Sequence, residues 1–146
     1  MLLRSVARTA SRAGVLAGVA MIPPGLVLRA TGQSVNVYGE FAVRAAFGRS
    51  PPGAMLLFHL VVSVALATPF VALVRSGSRG LVAGTLYGAL AWALLNGTLL
   101  PILFARPTAW QGGFAPVWGS IAVHLIYGAV LGVAAQRLRA SGTPPT

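Results

Sequence analysis

Three stretches without a single charged residue, 53–74, 80–105 and 112–135, decide what this chain can become. Each exceeds the roughly 18 apolar residues that mark a helix able to cross the hydrocarbon core of a bilayer. A water-facing surface needs charge, about a quarter of the residues in soluble domains; here charged residues make up 8% and hydrophobic ones 56%. That much apolar side chain also excludes a disordered chain. A shorter fourth run, 13–28, lies between Arg12 and Arg29 and is interrupted by Pro23 and Pro24. It falls short of the ~30 Å hydrocarbon core, and spans it if the flanking arginines extend to the interface and the helix continues past Arg29. The expected fold is all-α: a four-helix transmembrane bundle, one integral membrane domain over 1–140. Its spans cover about 13–30, 53–74, 80–104 and 115–136, and a disordered tail follows at 141–146.

All eleven basic residues are arginine, and Glu40 is the one acid. The arginines stand in ones and twos between apolar runs, with no basic face and no basic–aromatic alternation. They read as flanks of membrane spans, so the lipid bilayer is the expected partner and nucleic acid is not. With four spans, Arg4, Arg8, Arg12, Arg75, Arg79, Arg137 and Arg139 share one side; Arg29, Arg44, Arg49 and Arg106 share the other. The excess favours both termini in the cytoplasm. Residues 1–14 are basic, rich in Ser and Ala, and free of acid, a composition shared by presequences and by the cytoplasmic flank of an uncleaved first span; the latter is preferred. The opposite loops carry Tyr38, Phe41 and Phe47, and Trp110, Phe114 and Trp118, an interfacial aromatic belt. Residues 38–47 are expected to form a short surface helix with Glu40 and Arg44 paired one turn apart, ended by Pro51 and Pro52.

The halves of the chain match each other. RAGVLAG at 12–18 corresponds to RGLVAG at 79–84, and HLVVSVAL after His59 to HLIYGAVL after His124, at separations of 66 and 65 residues. A duplicated two-span unit ends on the side where it began. Its copies are therefore related by a pseudo-two-fold axis along the membrane normal, with His59 and His124 at similar depth. Gly14 and Gly18, the series Gly80, Gly84 and Gly88, and Gly128 and Gly132 all repeat every fourth residue. Such small faces let helix backbones approach closely where lipid supplies no apolar drive, and they are assigned to helix packing.

His59 and His124 are the two histidines, both inside apolar runs. Each has a serine one turn away, Ser63 or Ser120, that could bond its ring. The preferred role is a hydrogen bond across the bundle; the alternative is axial ligation of haem b between the second and fourth spans. Asn96, in an NGT sequence before Pro101, reads as a helix-weakening residue, with a solute path as its alternative. Pro69 and Pro101 are expected to kink their spans, and Tyr87 and Tyr127 need hydroxyl partners if buried. Without cysteine or aspartate, and with a single glutamate, the chain offers no thiolate metal site, no paired carboxylates and no Ser–His–Asp triad. It also contains no nucleotide-binding loop and no zinc-protease motif, so an enzyme is not expected.

The string HLIYGAVLG at 124–132 follows an H-x-x-Y-G-x-x-x-G pattern. With the glycine-rich third span, Pro101 at its outer end and an earlier His-led span, it resembles small four-span bacterial and archaeal membrane proteins classed as domains of unknown function. The resemblance, from Arg12 to Gln136, implies a multi-pass protein with no assigned catalysis and no binding residues to carry over. The leading functional expectation is a structural or accessory subunit, joined to a larger membrane complex or to copies of itself. A haem electron carrier and a minimal small-solute transporter or channel are the alternatives.

Overall fold

The computed structural model describes residues 2–74 and 79–141. Arg75, one of the arginines counted above, and residues 142–146 of the expected tail lie outside them. The regular elements of the described residues are all helices: α1 (Leu2–Ala30), α2 (Val37–Phe47), α3 (Ala54–Leu73), α4 (Gly80–Ala91), a π-helical segment (Trp92–Leu99), α5 (Leu100–Leu103), α6 (Ala109–Gly112) and α7 (Trp118–Ala140). Four stretches are long and apolar enough to cross a membrane: Arg4–Ala30, Ala54–Leu73, Gly80–Leu103 and Trp118–Ala140. The third joins α4, the π segment and α5 end to end.

α1 begins well before residue 13. Its extra turns place Ala10 and Ala13 against the core, while Arg4, Arg8 and Arg12, one turn apart, stay exposed on another face. The helix also runs unbroken through Pro23 and Pro24. Each proline removes one backbone donor, but a helix retains all its other internal bonds, and in lipid no other open conformation satisfies the backbone. Likewise α3 continues through Pro69.

The spans form an arc. α3 packs on α1, α1 on α7 and α7 on α4, whereas the α3 and α4 backbones stay apart and meet through Tyr87, which reaches Leu66 and Phe70. The core, built from Ala13, Ala17, Ala67, Val71, Tyr127 and Leu131 among others, lies where α1, α3 and α7 meet. Small residues set these distances. Gly14 and Gly18 face Ser63, Val64 and Ala67 of α3; Gly80, Gly84 and Gly88 face the backbone of Gly132, Gly128 and His124 in α7. At one end Arg139 donates its guanidinium N–H groups to the carbonyl oxygens of Val71 and Val74, closing the last turn of α3. Such charge-assisted donors suit carbonyls left open at a helix C-terminus.

At the opposite end, Asn36 adopts a left-handed conformation (φ 61°) that turns the chain from α1 into α2. α2 stops at Phe47 because Gly48, also left-handed, caps it with an N–H···O bond of 2.8 Å to Arg44 O; Pro51 and Pro52 come after that stop. The expected Glu40–Arg44 pair does not form. Glu40 instead pairs with Arg29 of α1. Tertiary packing of α2 brings the α1 terminus within reach, and the Glu40 carboxylate meets Arg29 there in place of the weak surface pair one turn along its own helix.

Candidate functional site

Because α3 and α4 stand at the two ends of the arc, a cleft of about 540 Å³ remains between α3 and the π segment, with α1 and α7 behind it. Most of its wall is apolar, including Leu26, Phe58, Val62, Leu66, Leu95 and Leu100. Polar groups gather at two levels.

The upper level is the mouth, lined by Arg29, Asn36, Tyr38 and Glu40. α2 roofs it. Glu40 ties α2 to α1, and on the other side Tyr38 and Phe41 meet Phe104 with ring centroids 5.9 and 5.4 Å apart. Arg106 lies over the Phe41 ring, 5.5 Å from its centre. Burial pushes the Tyr38 phenol above its usual pKa, against the lowering effect of Arg106, so the mouth presents a neutral hydroxyl. The Arg29 and Glu40 side chains are 56% and 29% exposed, which leaves their attraction largely screened. Glu40→Gln is therefore expected to lower stability by less than about 1 kcal/mol, measured by thermal unfolding in detergent.

The lower level is a belt of hydrogen bonds about 8 Å inside the cleft, as counted from Ala54 to His59 at 1.5 Å per residue. His59 and His124 both line it. His59 Nε2 lies 2.9 Å from Gly18 O, and His124 Nδ1 lies 2.7 Å from Ser120 O. A carbonyl can only accept, so each of these nitrogens carries a proton. In the neutral His124 ring the other nitrogen, Nε2, is then an acceptor, and Asn96 Nδ2 donates to it at 3.1 Å. The serines serve other partners: Ser63 Oγ donates to His59 O at 2.8 Å, and Ser120 Oγ accepts from Trp92 Nε1 at 3.2 Å.

Below this belt Tyr127 floors the cleft, and a contact between α3 and α4 lies beyond it. Tyr127 donates to Ser63 O at 2.6 Å and Tyr87 to Leu66 O at 2.5 Å, and the Tyr87 and Phe70 rings pack 5.1 Å apart.

Asn96 reaches His124 because its helix changes pitch. Between Trp92 and Leu99 the chain is π-helical. Pro101 offers no N–H to the carbonyls of the preceding turn, and Asn96, Gly97 and Thr98 are weak helix formers. Thr98 Oγ1 donates to Ala93 O at 2.9 Å and accepts from Trp110 Nε1 at 2.9 Å, which fastens the widened turn to α6. Such π segments concentrate at functional sites. The sequence marked this position only as a weak helix; the partnership with His124 has no local signature. A double-mutant cycle on Asn96→Leu and His124→Leu is expected to give a coupling of about 0.5–1.5 kcal/mol. Zero coupling would remove the bond from the account.

The structure thus brings together His59, His124, Asn96, Ser63 and Tyr127, while the glycines assigned to helix packing stand outside the cleft lining, in the helix contacts. No protein-family model, no curated protein and no solved structure matches this chain.

Proposed function

We propose that this is a non-enzymatic multi-pass membrane protein that holds one amphiphilic, lipid-sized molecule in the cleft between α3 and the π segment. The cleft itself carries the reading. Its volume of about 540 Å³ falls within the range of small-molecule sites, roughly 300–1,000 Å³. It faces sideways into the apolar layer, with charged and polar groups above and aliphatic wall below, the polarity order of a bilayer amphiphile. The floor formed by Tyr127 favours a holder over a conduit. A holder without chemistry of its own suits an accessory subunit, and the excess of arginine on the side of the termini supports a cytoplasmic position for both.

Duplication of a helical hairpin accounts for the plan. Gly14 meets Ala67 as Gly80 meets Gly132, and these positions are 66 and 65 residues apart. In this reading the two histidines are copies that have diverged in their partners.

The test is the lipid content of the purified protein. After exhaustive detergent exchange, organic extraction and mass spectrometry are expected to return one amphiphile class at near-stoichiometric amount. Val62→Trp, which fills the cleft from its lipid-facing wall, is expected to lose it. Equal lipid in both proteins would refute the reading.

The second reading, haem b, draws on the observation that both histidines line one cleft. Iron ligation needs a nitrogen lone pair from each ring. The only one on neutral His124 accepts from Asn96, so loading would have to break that bond. An oxidised-minus-reduced visible spectrum after expression with ample haem decides it: a Soret shift lost in His59→Ala and His124→Ala supports haem, and a flat spectrum rejects it.

A further inference from the structure

The two histidines occupy matching places in the chain yet differ in what they leave open. His124 is saturated, with Nδ1 on Ser120 O and Nε2 on Asn96. His59 uses Nε2 on Gly18 O, and its Nδ1 has no partner among the described residues. Asn96 gives its amide N–H to His124, and its Oδ1 likewise has none. Both residues line the cleft. In the neutral ring His59 Nδ1 is an acceptor, and an amide oxygen always is. At this depth in a bilayer little water is at hand, and an acceptor without a donor is unfavourable.

We infer that the molecule held in the cleft is a single-chain lipid alcohol whose hydroxyl donates to His59, with Asn96 Oδ1 as the neighbouring acceptor. The inference rests on the cleft reading and specifies its ligand. A hydroxyl supplies the donor that the wall lacks. A ketone, an ester or an ether offers only further acceptors. The cleft volume suits one chain rather than two, lying along the apolar wall that includes Phe58, Val62 and Leu100. Arg29 and Glu40 neutralise each other above, so the mouth calls for no charged head.

The experiment uses the full chain in lipid nanodiscs. Tritiated farnesol is bound and displaced either by unlabelled farnesol or by farnesyl methyl ether, which keeps the tail and the oxygen but lacks the proton. The alcohol is expected to compete about tenfold better than the ether, the worth of one well-made hydrogen bond. In His59→Phe/Asn96→Leu the alcohol should lose its advantage and the two competitors become equal; residual ether binding reports that the cleft still forms. Equal competition in the wild-type protein overturns the inference and leaves the cleft reading standing. A preference for alcohol that persists in the double variant overturns it too, because the acceptor then lies elsewhere. If neither compound binds the wild-type protein, the cleft reading fails and this inference with it.

Discussion

Replacing Gly128 with valine is expected to separate α4 from α7 and to lower stability by about 3 kcal/mol or more. A β-carbon at Gly128 would overlap the carbonyl oxygen of Gly84 and crowd the backbone of Gly88, and one at Gly84 would meet Gly128 and Gly132 in return. The obstacle is backbone on both sides, so no rotamer change relieves it. In water, burial of neighbouring apolar surface could offset part of such a clash. In lipid the tails are as apolar as the side chains, and close contact is most of what holds the pair together. The measurement is unfolding by SDS titration, followed by circular dichroism. Gly25→Ala is the control: its nearest neighbours would be Val35 and Val123 side-chain atoms at 3.6 and 3.9 Å, ordinary contacts. It should unfold close to the wild type. A Gly128→Val protein of unchanged stability would mean that the two helices do not meet through these glycines.

That contact illustrates which parts of the structure can be read from sequence. The existence of four spans follows from hydropathy, since uncharged runs of that length have few other fates. Where each span begins is less legible. The arginines before residue 13 look like a boundary, yet α1 absorbs them because they stand one turn apart on a face that packs against nothing. Gly84 and Gly128 are visible as a spacing, but spacing alone does not say which helix each series meets. Glu40 was matched to Arg44 because sequence shows only neighbours along one helix; Arg29 reaches it through the turn at Asn36, whose left-handed conformation is a tertiary fact.

The site was half legible. His59 and His124 stand out as polar residues in apolar runs, which rarely occur without a partner. Their partners could not be read. Gly18 O and Ser120 O are backbone atoms that every residue possesses. Asn96 looked like a flaw in a helix, and it is one: the weak NGT sequence and Pro101 permit the π turn that carries its amide to His124. A destabilising signal and a functional one coincide there.

Tyr127→Ala is the second large effect, expected to reduce stability by about 3–5 kcal/mol. Tyr127 is the largest of the fully buried side chains, 2% exposed, and it joins α7 to α3. Volume rather than the hydrogen bond dominates the loss. Ser63 O sits in the middle of α3 and keeps its helical N–H donor when the phenol is removed, so Tyr127→Phe should lose only about 1 kcal/mol. The alanine variant has a further property. Tyr127 lines the cleft, so the void it leaves opens into that space and is apolar enough to accept a chain end. Leu131, 0% exposed and outside the cleft lining, would leave a closed void instead. Added farnesol should therefore restore part of the stability lost in Tyr127→Ala and none of that lost in Leu131→Ala. Equal responses would place the floor of the cleft somewhere other than Tyr127, because only a void continuous with the cleft can be filled from it.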